Sequence, residues 1–186
     1  MIKVYSANRP PLAEYLEIDV IDQLPAGEIN RIATETGNHW RKIFNVYAKL
    51  VYRLAEMTQH GLLQDFSRWQ HYRDHSLLQR GSDTELHLDS AYLDALPLES
   101  FSANSALLPR VNIVMGKTFS ERLLADVPLE WLDKDFAIHR QQNIIVCPYF
   151  DYRQLSNVKI ERLAELIISL QSIQGSQSIH PIEALI

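Results

Sequence analysis

The sequence predicts an α/β fold, a mainly parallel sheet of about four strands with helices on both faces. Three observations predict it. Residues 111–115, Val-Asn-Ile-Val-Met, form a short, nearly all-apolar run that passes through Gly116-Lys117-Thr118 into a helical pattern starting at Phe119. Residues 143–147, Asn-Ile-Ile-Val-Cys, repeat the arrangement, passing through Pro148-Tyr149-Phe150-Asp151-Tyr152-Arg153 into a helix from about Asn157. The N-terminal run Ile2-Lys3-Val4-Tyr5 is rich in β-formers and ends in the polar segment Ala7-Asn8-Arg9-Pro10-Pro11. Strands that run into helices through polar loops are the units of a covered parallel sheet, and ligands bind at the carboxyl ends of such strands.

The elements follow in order. Two prolines after the first strand forbid a continuing ladder or a helix interior, so a rigid loop is expected there. Residues 12–26 are mixed, and Pro25-Ala26-Gly27 marks a turn. Residues 28–36 read as a short helix with Ile29, Ile32 and Ala33 on one side and Gly37 as its stop. Asn38 is expected to cap a helix that runs to about Gln59 and ends near Gly61. Trp40, Ile43, Phe44, Tyr47, Leu50, Val51 and Leu54 form its apolar face, and Lys42, Asn45, Lys49 and Arg53 its opposite face. Residues 62–79 read as a further helix, closed by Gly81. Residues 84–88 alternate as a strand, with a helical signal from near Asp89. Residues 97–109 read as a surface connection. Residues 127–131 read as a short helix with Pro128 at its first position. The last helix carries Ile160, Leu163, Leu166, Ile167, Leu170 and Ile173 inward and is expected to stop at residues 175–178.

Composition narrows the functional classes. The 186 residues suit a single α/β domain spanning 1–186. Hydrophobic residues at 46% and charged residues at 22% are ordinary for a soluble globular protein, and no run approaches a membrane span. No membrane partner is expected. The N-terminus lacks the apolar stretch of a signal peptide, and Cys147 is the only cysteine, so a cytoplasmic location is expected and no internal disulfide can form. A net charge of −5 argues against a general polyanion binder.

Candidate chemistry concentrates at the strand ends. Gly116-Lys117 resembles the end of a phosphate-binding loop, but position 111 is Val where a Walker loop needs its first glycine. What remains is a glycine–lysine turn entering a helix, where Lys117 either holds an anion or is solvated. In residues 148–153, Tyr149 and Tyr152 either stack a base or sugar or cover the sheet end. Arg153 either holds a phosphate or pairs with Asp151. Asn8 and Arg9 occupy the corresponding position after the first strand, as a ligand-binding pair or as part of a proline turn. His71 and His75 stand one helical turn apart, a spacing that can hold a metal, but Arg73 lies between them and no H-E-x-x-H occurs, so no metal is expected. Cys147 reads as a packed thiol. The Lys42/Lys49/Arg53 stripe is either a wet helix face or a track for a phosphate backbone. No cofactor is implied.

The order of these three strand-end loops resembles the uracil-DNA glycosylase-like superfamily. In that family an Asn or Asp before Pro, in a loop after an early strand, positions the attacking water. A later strand ends in Gly-Lys or similar, and the last ends in His-Pro-Ser or Asn-Pro-Ser, whose His or Asn stabilises the departing base. The matching positions are Asn8, separated from Pro10 by Arg9, together with Gly116 and Pro148. Cys147 stands where the family has His or Asn, and Tyr149 where it has Ser. The resemblance implies an Asn8 that orients water or a base edge, and a ligand bearing a nucleobase or phosphate, such as a nucleotide or single-stranded nucleic acid. The rival expectation is a non-catalytic interaction module or a homo-oligomer that uses the aromatic loop and the Trp40 helix.

Overall fold

The computed structural model describes residues 1–90 and 108–177, with side chains described as far as Gln171. The expected helix from near Asp89 and most of the expected 97–109 connection lie outside the described residues. The strands are β1 (Ile2–Ser6), β2 (Val20–Ile21), β3 (Thr84–Leu88), β4 (Val111–Met115), β5 (Glu130–Trp131), β6 (Ala137–His139) and β7 (Ile144–Cys147). The helices are α1 (Glu28–Glu35), α2 (Asn38–Thr58), α3 (Leu62–Asp65), α4 (Trp69–His75), α5 (Lys117–Leu123) and α6 (Asn157–Gln177).

The α/β class holds, but the sheet is mixed and larger than expected. Among the described residues it has seven strands in the order β2-β3-β1-β4-β7-β6-β5. The central strands β3, β1, β4 and β7 are parallel to their neighbours. β2 joins one edge antiparallel, and β6 and β5 extend the other edge as antiparallel strands. The two strand–loop–helix units pair directly: β4 and β7 lie side by side, parallel and buried, in the register Ile113↔Ile145.

Alternation along the strands divides the core. Ile2, Val4, Leu86, Leu88, Val111, Ile113, Met115, Ile145 and Cys147 pack with residues of α1, α2 and α6. Tyr5, Val114, Ile144 and Val146 point the other way and pack with Phe119 and Leu124, from α5 and its end. This is the period-2 rule of a strand, and it leaves helices on opposite faces of one sheet. The second face also carries Lys3, Glu85, His87 and Asn112. Glu85 receives Lys3 at 3.2 Å and His87 Nε2 at 2.8 Å, and Tyr5 donates its hydroxyl to Asn112 at 3.4 Å.

Helix α2 is the central element of the first face. Trp40, Ile43, Phe44, Tyr47, Leu50, Val51 and Leu54 are buried, as the periodicity predicts, and so are Val46 and Ala48. Each member of its basic stripe has a partner on another element. Lys42 pairs with Asp151 at 2.7 Å, Lys49 meets the Asn157 side chain at 3.2 Å, and Arg53 forks onto Glu161. The Lys42 pair ties α2 to the connection after β7, the other two tie it to α6, and Lys42 and Lys49 are left half-buried.

Other local expectations change for identifiable reasons. Gly37, at φ 80°, precedes α2, and Asn38 is its first residue, accepting from Arg41 instead of capping an amide. Gln59, not Gly61, takes the left-handed position that ends the helix. The single helix expected over residues 62–79 is broken. Phe66 turns extended, its carbonyl accepts the Tyr52 hydroxyl at 3.1 Å, and its ring packs edge-on against His71 and Tyr72. The short helix expected over 127–131 is instead extended chain leading into β5. Cross-strand pairing with β6, and an Asp133 carboxylate that accepts the amides of Asp135 and Phe136, outweigh the proline signal. Helix α6 passes through Gly175 to Gln177. No helix among the described residues is long and apolar enough to cross a membrane.

Candidate functional site

β1 and β4 are neighbours, and the chain leaves them in opposite directions. From β1 it travels to β3 by way of α1 and α2 on the first face, and from β4 it enters α5 on the second. In an open α/β sheet the usual ligand position is at the carboxyl ends of neighbouring strands whose connections diverge in this way. Ser6 and Asn8 stand at that end of β1, and Gly116 at that end of β4.

Asn8 and Tyr149 meet there. Asn8 Nδ2 donates to the Tyr149 hydroxyl oxygen at 3.1 Å. Its backbone N–H donates to Ser6 Oγ at 3.1 Å, which fixes the turn out of β1. Tyr149 Oη also lies 3.1 Å from Nε2 of His39, in the first turn of α2, and the two rings stack at 5.5 Å between centroids. The phenol oxygen accepts from Asn8, so its own proton is directed to His39 Nε2. Burial pushes the Tyr149 phenol above its ordinary value of 10.0, while the hydrogen bonds from Asn8 and Ser6 pull it down. At neutral pH the group is therefore a protonated donor. Gly116 completes the cluster. Its φ of 95° is a glycine conformation, its N–H continues the ladder to the Cys147 carbonyl, and a Cβ there would lie 3.8 Å from the Tyr149 ring.

The other sequence candidates lie around this cluster with different partners. Arg9 turns its guanidinium onto the carbonyls of Tyr15, Leu16, Ile18 and Leu88, with Asp19 at 3.9 Å, and so ties the loop after β1 to the end of β3. Lys117 leaves the crevice, and its ammonium sits 5.0 Å over the Trp131 ring. Tyr152 is 55% exposed, with Lys42 Nζ and the Arg153 guanidinium 5.0 Å and 5.9 Å from its centroid. Asp151 pairs with Lys42, not with the Arg153 guanidinium, and accepts only the Arg153 backbone N–H. Phe150 is fully buried against Tyr47. Cys147 is buried on the helix-covered face, and desolvation pushes its thiol far up. The His71 and His75 rings touch at 4.5 Å, and the described residues contain no group of three or more His, Cys, Asp or Glu able to hold a metal.

Sequence reasoning did not single out Ser6 or His39. Ser6 is the fully buried last residue of β1. The one local signal for His39 is an exposed polar residue in the first turn of a helix whose next residue, Trp40, is buried. Its approach to Tyr149, 110 positions away, is a tertiary event.

Fold and site together define an α/β protein with a hydrogen-bonded polar cluster at the switch point of its parallel strands. The chain matches DUF6942, a family of unknown function, over residues 1–168, and it belongs to that family. No curated protein and no solved structure matches it.

Proposed function

We propose that the crevice between β1 and β4 binds a small ligand bearing a nucleobase or a phosphate, either a nucleotide or a segment of single-stranded nucleic acid, in a cytoplasmic protein. The observation that carries this reading is the hydrogen-bonded cluster Asn8–Tyr149–His39 beside Gly116. Asn8 supplies an amide able to read a base edge or orient a water. The Tyr149 phenol supplies a proton donor, and the stacked rings supply an aromatic surface. Tyr152 and Arg153, on the same connection as Tyr149, extend this surface outward with an exposed ring and a cation. The resemblance to the uracil-DNA glycosylase-like superfamily points the same way. In the family position for stabilising a departing base, however, the chain has the buried thiol of Cys147.

The test is an NMR titration of the full chain with inorganic phosphate and with nucleoside monophosphates, together with a glycosylase assay on uracil-containing single-stranded DNA. Binding is expected to shift Asn8, His39, Gly116 and Tyr149 together, with little or no uracil excision. Strong excision would give the site an enzymatic role that Cys147 does not explain. Exposure of Tyr152 and Val158, at 55% and 79%, favours a second reading, a protein-interaction surface or homo-oligomer contact at the start of α6. Under that reading these two residues would shift with protein concentration and the crevice residues would not respond to nucleotide.

A further inference from the structure

We propose that the cavity between α5 and the β5 edge is a second ligand site, separate from the crevice, for a planar aromatic ring carrying an anionic group. The cavity measures about 530 Å³, within the roughly 300–1,000 Å³ of small-molecule sites. Its lining is divided by chemistry. Leu124, Val127 and Leu129 supply an apolar floor, and Trp131 supplies an indole wall. The indole is 41% exposed although it sits on an edge strand of only two residues, Glu130–Trp131. Lys117 and Lys134 supply the charge.

The balance of that charge favours an anion. Of the two acids in the lining, Asp133 is already satisfied. One of its oxygens accepts the amides of Asp135 and Phe136 at 2.7 and 2.9 Å, and the other holds Arg162 at 2.9 Å. Glu121 remains. Neither Lys117 nor Lys134 has a carboxylate partner among the described residues, and Lys117 Nζ rests 5.0 Å over the Trp131 ring. The ammonium covers part of one indole face, and with it in place the ring is still 41% exposed to the space that Lys134 also lines. A ligand that presents a flat ring to the indole and a negative group to the lysines satisfies both, whereas a neutral ring or a bare anion satisfies one. Gly116 borders the crevice while its neighbour Lys117 reaches this cavity, so the two sites flank the first turn of α5.

The test uses the full chain with adenosine monophosphate as the ring-plus-anion probe, and adenosine and inorganic phosphate as its halves. Trp131 indole fluorescence and the amide shifts of residues 117–134 are the readouts. Adenosine monophosphate is expected to move both, with each half far weaker. Read at the amides of residues 125–134, the apparent Kd should rise about tenfold or more in Lys134→Ala and in Trp131→Ala. Lys134 is exposed, so its variant preserves the fold and keeps the proposal testable independently of Trp131→Ala. The proposal is overturned by no movement at residues 117–134, by equal responses to phosphate alone, or by loss of the response in Tyr149→Phe, which would move the ligand to the crevice.

Discussion

The two strand–loop–helix units, β4–α5 and β7–α6, are neighbours in one sheet and start from equally buried strands, yet they reach the site in different ways. After β4 the chain turns at Gly116 alone and enters a seven-residue helix that buries only Phe119 and Ser120. After β7 it runs through residues 148–156 before a 21-residue helix. That helix buries Ile160, Leu163, Ala164, Ile167 and Leu170 and is joined to α2 by the Arg53–Glu161 ion pair and the Lys49–Asn157 hydrogen bond. The tight turn brings backbone to the crevice, and the long connection brings a side chain, Tyr149. Gly116 supplies the φ of 95° that the tight turn requires, and the Tyr149 ring lies against that turn at ordinary contact distance. The heavily packed α6 in turn anchors the connection that carries it.

The largest expected effect separates the two helices by identical chemistry. Leu163→Ala should cost about 2–5 kcal/mol, because Leu163 is fully buried between α6 and the sheet. Leu123→Ala, on half-buried α5, should cost about 1 kcal/mol. Denaturant titration measures both, and equal losses would erase the distinction. Next comes Gly116→Ala. A Cβ has room there, so the cost of about 1–3 kcal/mol should come from the φ of 95°. A loss well below this would mean that glycine is not required at the turn.

Tyr149→Phe should follow at about 0.5–1.5 kcal/mol, through loss of the hydroxyl shared by Asn8 and His39. Asp151→Asn should be smallest, under about 1 kcal/mol for a partly exposed pair. The Lys42 ammonium and the Arg153 amide hold the Asp151 carboxyl below its ordinary 3.8. Its contribution is therefore complete above that value and is lost as pH falls through the lower folded value. Wild type and Asp151→Asn should converge in stability at strongly acid pH. A difference that persists there would assign the effect to something other than this charge.

Legibility in the sequence followed the length and regularity of the signal. β4 and β7 were legible because a short, nearly all-apolar run framed by Pro109 and Gly116, or by Asn143 and Pro148, has few other uses. The α2 face was legible because its period persists from Trp40 to Leu54. β2, β5 and β6 were not. They are two or three residues long, and what makes them strands is the edge they pair with, so the mainly parallel four-strand reading missed the antiparallel extensions. The basic stripe of α2 looked solvated because its partners Asp151, Asn157 and Glu161 lie more than 100 positions away. At the site, Asn8, Gly116 and Tyr149 were legible as strand-end residues. The carbonyl cage around Arg9, the turn of Lys117 toward Trp131 and the approach of His39 depend on tertiary packing that no local pattern encodes.

The central claim is that β1, β4, α2 and the connection after β7 build one crevice. It is tested most directly by following the Asn8, His39, Gly116 and Tyr149 resonances during titration with a nucleoside monophosphate, in wild type and in Tyr149→Phe. The account predicts that all four shift along one saturating curve in wild type, and that the curve weakens in the variant while the resonances of residues 117–134 behave as before. Four resonances that fail to move, or that move independently with unrelated midpoints, would contradict it.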